Sequence, residues 1–152
     1  MDNFLIKDGF DKMDFVKVTE MLAKAFWCPG IKMDEVQKGA LNSAFVVGAY
    51  IDGNIQVGYA RVISDKTRFA YICDVMVDED YRKMGIGQKM INYILCHKEL
   101  EDVYQWLLIT KDAHGVYKKS GFEPISRPES WMELRYKRPE RKTVGKLTGK
   151  DA

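Results

Sequence analysis

Val75-Met-Val-Asp-Glu-Asp-Tyr-Arg-Lys-Met-Gly-Ile-Gly-Gln88 is the stretch from which the rest of the chain can be read. An apolar, β-rich run passes into a polar loop with Arg82 and Lys83, then two glycines. After them Ile86, Met90, Ile91, Ile94 and Leu95 recur at helical spacing, which predicts a helix over residues 85–97. The first turn of a helix exposes unpaired N–H groups and partial positive charge, so an anion can rest there. Gly85 and Gly87 let a phosphate approach without a Cβ in the way, and Arg82 and Lys83 add charge. The loop is not a Walker A sequence, and Met90 stands where a dinucleotide fingerprint needs its third glycine. Taken alone, Gly-x-Gly also fits an ordinary tight turn before a helix.

Upstream, the pattern is strand-like. Residues 69–77 form an apolar run in which Tyr71, Cys73, Val75 and Val77 are expected on one face and Ile72, Asp74 and Met76 on the other. Before it, residues 44–51 and 55–63 flank Asp52-Gly53-Asn54, the chemistry of a β-hairpin, and the three runs predict an antiparallel meander. Phe15, Val18, Leu22, Ala25 and Phe26 mark an amphipathic helix from Asp11 to Cys28-Pro29-Gly30, and a second helix is expected over residues 33–41. Residues 4–7 suit a short first strand. Downstream, residues 103–110 read as a strand buried on both faces and 112–119 as a short helix ended by Ser120-Gly121. A last strand pair is expected around residues 122–124 and 131–136. The order makes a mixed α/β fold.

The chain has 152 residues, enough for one domain with a sizeable core, assigned here to residues 1–136. Residues 137–152 carry six basic and two acidic side chains and read as a flexible basic tail. A net charge of +2 does not point to nucleic acid. The longest apolar run, residues 44–51, is far short of the roughly 20 residues that span a bilayer. The N-terminus has no basic start followed by an apolar stretch, which favours a cytoplasmic protein without membrane association. Cys28, Cys73 and Cys96 are widely spaced, and no Cys/His cluster suits a metal. All three read as reduced thiols, with Cys73 and Cys96 as small buried hydrophobes.

Arg82-Lys-Met-Gly85-Ile-Gly87 resembles the Arg/Gln-x-x-Gly-x-Gly/Ala signature of the GNAT superfamily of N-acetyltransferases, and Tyr117-Lys-Lys-Ser-Gly121-Phe122 resembles its Tyr-x-x-x-Gly-Phe motif. The spacing between them, one helix plus one strand, also agrees, and the similarity runs from about Phe10 to Glu133. Residues 69–77, Lys111-Asp-Ala-His-Gly-Val-Tyr117 and Pro128-Glu-Ser-Trp-Met132 are similar to a small bacterial subgroup with Asp-Ala-His-Gly-x-Tyr before Gly-Phe. Lys83-Met84 replaces the usual Gly-Lys, and Thr110 stands where many relatives have asparagine.

The resemblance implies a mostly antiparallel sheet flanked by helices and acetyl-CoA as co-substrate, with no metal. Backbone N–H groups of Arg82, Lys83, Met84, Gly85, Ile86, Gly87 and Gln88 would hold its pyrophosphate, and the main chain of Val75, Met76 and Val77 its pantetheine arm, in a slot opened by separation from residues 103–110. Thr110 joins the cofactor set. Tyr117 would be the general acid, a phenol near 10 serving a thiolate whose parent thiol lies near 8.5 (about, for both). Asp74, a carboxylate interrupting an apolar strand, is the candidate base, with a hydrogen-bonded structural carboxylate at a bulge as its other reading. His114 is either a contact to acceptor or cofactor or a packing residue. Gly115 would allow close approach of the cofactor arm. Trp27, Tyr50, Tyr59, Arg61 and Trp131 either line the acceptor pocket or pack the core. The acceptor would be a small-molecule or protein amine attacking directly, since no cysteine lies in either motif. A homodimer is compatible with this reading, and so is a non-catalytic acyl-CoA sensor of the same fold.

Overall fold

The computed structural model describes residues 3–137. Five strands, β1 (Phe4–Asp8), β2 (Phe45–Ile51), β3 (Ile55–Ser64), β4 (Phe69–Val77) and β5 (Gln105–Leu107), form one sheet in sequence order. Neighbours are antiparallel except β4 and β5, which run parallel. Helices α1 (Phe15–Ala23) and α2 (Met33–Leu41) cover one face, α3 (Ile86–Leu95) covers the other, and α4 (His114–Lys118) follows β5. The central strands are therefore buried on both sides: β2 and β3 contribute Val47, Val57 and Val62 to the α3 core, and Val46, Tyr50 and Tyr59 to the α1–α2 core. Removing a side chain such as Leu22 or Ile94 from water contributes about 1.5–3 kcal/mol before entropy is counted.

The N-terminal helical segment differs from the expected single helix. A short turn spans Phe10–Lys12, the chain extends at Met13, and Asp14 then caps α1 by accepting the Lys17 N–H at 3.2 Å. The helix stops at Ala23, because the chain turns at Gly30 (φ +72°) and sends the Gly30 N–H back to the Ala23 carbonyl. Phe26 thus leaves the apolar stripe, is 67% exposed and packs its edge on Trp27.

The alternation expected along β4 breaks at Asp74. Tyr59 pairs with Met76 but Arg61 pairs with Cys73, so β4 carries one extra residue, and Asp74 there has φ +55°. This β-bulge reverses the facing of the rest of the strand. Ile72, Val75 and Val77 lie toward α3, whereas Met76 enters the α1–α2 core. In β3, Gln56 is buried with its polar atoms used: it accepts from the Asp14 N–H (2.7 Å) and donates to the Gly58 carbonyl (2.9 Å).

Three further expectations are corrected. The strand over 103–110 is ordered as strand only at Gln105–Leu107, and Ile109 is 79% exposed, because its ladder partners on β4 end at Tyr71. Residues 122–124 and 131–136 form no strand, since neither finds a partner among the described residues. Cys96 is exposed rather than buried, one residue past the apolar face of α3, and Cys73 is half-buried. The tail assigned to 137–152 lies, beyond Lys137, outside the described residues.

Candidate active site

The loop after β4 is built around backbone geometry. Asp78 caps the turn Glu79–Tyr81 through the Asp80 N–H and is ion-paired to Lys17, which ties the loop to α1. The Lys17 ammonium holds the Asp78 carboxyl below the usual carboxylate range. The Arg82 Nε donates to the Val77 carbonyl at 3.1 Å, and Lys83 (φ +64°) and Gly85 (φ +81°) turn the chain into α3. Gly85 caps α3 with no side-chain acceptor, and no acidic residue sits in the first turn. The leading N–H groups of α3 are thus left for an external acceptor. A Cβ at Gly87 would stand 3.9 Å from Val77, an ordinary contact, so packing does not demand glycine there. Ile86 buries its side chain in the core, while Arg82, Lys83 and Met84 stay exposed.

Beside this loop the sheet opens. The β4–β5 ladder consists of Phe69–Gln105, Ala70–Trp106 and Tyr71–Leu107, and β4 continues to Val77 without a neighbour on that side among the described residues. Main-chain groups of 72–77 that would face β5 have no ladder partner. An extended molecule carrying amides fits such an edge as an added strand does. The basic loop and the open edge are contiguous through Val77 and Asp78, so one ligand with an anionic end and an amide-bearing arm matches both.

Tyr117 lies on α4, half-buried against the α3 core and edge-on to Phe122 with ring centres 6.0 Å apart. Burial raises its phenol above the ordinary value, and the hydroxyl makes no hydrogen bond with another described residue. Thr110 is engaged locally: its Oγ1 accepts the Ala113 N–H at 3.0 Å, fixing the turn into α4. His114 is exposed. Among the described residues no atom lies within 4 Å of where a Cβ of Gly115 would stand, which leaves that flank of α4 open to them. The Gln88 side chain donates to Asn92 and Ser120, and so connects α3 to the end of α4.

Asp74 projects from its bulge toward α1 and α2. Its Oδ1 accepts from Trp27 Nε1 at 3.0 Å and its Oδ2 from Arg61 Nε at 2.7 Å, and Arg61 reaches on to Ser43 at 3.3 Å. Arg61 and Asp74 line a cavity of about 420 Å³ together with Ile31, Glu35, Val36, Lys38, Gly39 and Asn42. The sequence reading did not single out this α2 wall. Its visible signal was Gly39 inside a helix, where glycine costs about 1 kcal/mol against alanine. Gly39 faces the Arg61 guanidinium, 3.6 Å from where a Cβ would be. Of the aromatics considered for the acceptor side, Trp27 reaches the cavity's edge through Asp74. Tyr50 and Tyr59 are core residues, and burial pushes the Tyr50 hydroxyl up to about 12. Trp131 stands apart, 46% exposed.

Among the described residues no group of His, Cys, Asp and Glu gathers as a metal site, and no helix is long and apolar enough to cross a membrane.

Comparison with known proteins supplies the context for this geometry. Residues 42–124 match the family model for an acetyltransferase (GNAT) domain. No curated protein sequence matches the chain. Among solved structures, one described as a GNAT-family acetyltransferase from Xanthomonas campestris pv. campestris superposes with a TM-score of 0.82 at 30% identity, covering 90% of this chain and 95% of its own. An acetyltransferase with acetyl-CoA from Clostridium acetobutylicum has a TM-score of 0.65 at 18% identity, covering 87% and 96%. Glucosamine-6-phosphate N-acetyltransferase from Arabidopsis thaliana has a TM-score of 0.65 at 15% identity, covering 89% and 99%. The last two likenesses are of fold.

Proposed function

We propose that this chain, which belongs to the GNAT acetyltransferase family, moves an acetyl group from acetyl-CoA to an amine by direct attack in a ternary complex. The observation that carries the reading is the run of β4 left without a neighbour after Tyr71, leading straight to the uncapped N-terminus of α3. Acetyl-CoA supplies an activated thioester carbonyl. In this proposal the N–H groups of residues 82–88 hold the pyrophosphate, and Val75, Met76 and Val77 hold the pantetheine amides. The open flank at Gly115 and the lack of a Cβ at Gly87 support close approach of such a ligand to the backbone. Thr110 contributes by fixing the turn that carries α4.

Tyr117 is the proposed general acid. Burial keeps its proton in place at neutral pH, and its hydroxyl has no described protein partner competing for it. It donates to the sulfur as the carbon–sulfur bond breaks. Asp74 is the proposed acceptor of the amine's proton: a carboxylate has about four lone-pair sites, and Trp27 and Arg61 occupy two. An amine seated in the cavity beside α2 would meet it. Direct attack is favoured by the state of Cys73, whose thiol burial pushes up to about 11, leaving little thiolate at neutral pH.

The test is release of free coenzyme A thiol across a panel of amines, with an amine-free control. Amine-dependent thiol release with acetylated amine as product supports the proposal. A stable acetyl-enzyme formed without amine, which then passes its acetyl group on, would refute direct attack. Binding of acetyl-CoA with no thiol release for any amine, peptide amines included, would instead favour a sensor.

A further inference from the structure

We infer that the amine is a small α-amino acid, its ammonium held by Asp74 and its carboxylate by Arg61 and Lys38. This rests on the cavity beside α2 being the acceptor site, and goes further by naming the class of amine.

The cavity sets opposite charges side by side. Asp74 Oδ2 and Arg61 Nε stand 2.7 Å apart, and both side chains are partly buried. Trp27 and Arg61 each take one lone-pair site of Asp74, so the carboxylate keeps room to accept from an ammonium. Arg61 is under-used in turn. Of the N–H groups of its guanidinium, one goes to Asp74 and one to Ser43, and the rest meet no acceptor among the described residues. Gly39 faces the guanidinium without a side chain, so those N–H groups stay open to the cavity. Glycine is disfavoured inside a helix, and here it keeps bare a cation whose planar fork suits a carboxylate.

The charges of the lining choose the ligand. Glu35, Lys38, Gly39 and Asn42 recur at spacings of three and four, so one face of α2 and its C-terminal cap walls the cavity. The Lys38 side chain is exposed and has no ion-pair partner among the described residues. Lys38 and Arg61 balance Glu35 and Asp74, two charges of each sign. A polyamine would meet the two cations, and the lone ammonium of a protein lysine would leave them unmatched. A zwitterion matches both signs, and an α-amino acid carries its two charges on one carbon, side by side as Asp74 and Arg61 are. Ile31 and Val36 add apolar wall for its side chain, and about 420 Å³ is the scale of a small molecule. In the transfer the ammonium loses one proton to water before attack. Its second goes to Asp74 as the nitrogen–carbon bond forms, and the leaving sulfur takes its proton from Tyr117.

Calorimetric titration of the full chain, in the presence of coenzyme A, with leucine, leucinamide and isopentylamine tests this apart from the chemistry. The three share one side chain, but leucinamide lacks the carboxylate charge and isopentylamine the whole carboxyl group. Leucine should bind at least about tenfold more tightly than either, the effect of one lost hydrogen bond between charged groups. Lys38→Gln should cut that preference at least about threefold, as for an exposed ion pair. Lys38 is exposed, so the variant keeps its fold, checked by its circular dichroism. No binding of leucine, equal binding of all three, or a preference unchanged in Lys38→Gln overturns the proposal. Thiol release from acetyl-CoA is read separately with the same three compounds. Selective leucine binding without thiol release would remove the transfer reaction and keep the site. Thiol release that treats the three alike would keep the reaction and overturn the site.

Discussion

Asp74 shows how one residue's backbone sets the site. Its φ of +55° places it in the left-handed region, which short polar side chains tolerate better than β-branched ones. The bulge aims the carboxylate at Trp27 and Arg61 instead of into the α3 core. Removing Arg61 while keeping Asp74 leaves a largely buried carboxylate without its cation, so Arg61→Met should lower the urea-derived unfolding free energy by about 3 kcal/mol. Trp27→Phe removes one hydrogen bond to a charged group and should cost about 1.5–3 kcal/mol. At the proposed acid, Tyr117→Phe should lower kcat by about 10²–10⁴-fold with little change in acetyl-CoA affinity; equal losses in both would remove its assigned role. Because burial raises the Tyr117 phenol, any loss of rate from its ionisation belongs above the ordinary phenol value of about 10, as pH rises through the folded value. Asp74 was conspicuous in the sequence as a charge inside an apolar strand. Its bulge was not, because a positive φ at a non-glycine residue has no local sequence pattern.

At the scale of elements, α3 and its loop separate what the fold needs from what a ligand needs. Gly85 is required by conformation: alanine at φ +81° should cost about 1–2 kcal/mol. Gly87 is required by neither conformation nor packing, so Gly87→Ala should leave the thermal midpoint unchanged or slightly raised while weakening acetyl-CoA binding. A fall in both together would make Gly87 structural. The Lys17–Asp78 pair joins this loop to α1, and its signs are opposite on the two sides. The lowered Asp78 value stabilises the fold above the unfolded carboxyl value of about 3.9 and loses that effect as pH falls through the folded one. The raised Lys17 value stabilises below the unfolded ammonium value of about 10.4 and is lost as pH rises through the folded one. Asp78→Asn should therefore lower the midpoint at pH 7 and narrow the difference from the unaltered chain in strong acid. Element bounds were most legible where both flanks are punctuated: α2 and β4 begin and end as their periodicity predicts. β5 was overread because Leu108 and Ile109 have strand-like side chains, while pairing depends on a neighbour that turns away after Tyr71.

Over the whole molecule, one sheet separates two cores, and the two halves of the proposed reaction fall at its β4 margin. The cofactor loop lies at the α3 side and the Asp74 cavity at the α1–α2 side. The strands, the helices and the glycine loop were legible from the switch between strand and helix periods, whereas their division between the two faces of the sheet was not. The α2 wall of the cavity was not, because Glu35, Lys38 and Asn42 resemble any solvated helix face until β3 and β4 are packed beneath them. Residues 122–124 and 131–136 were read as a strand pair and form no strand, because strand-like side chains do not by themselves supply a neighbour. The most direct test of the central claim is a calorimetric titration of the purified protein with acetyl-CoA, beside coenzyme A and a nucleotide lacking pantetheine. Saturable binding that weakens sharply when pantetheine is missing is the expected result, because the open edge of β4 and the α3 N-terminus act together. No binding by well-folded protein, or equal binding of the nucleotide alone, would contradict it.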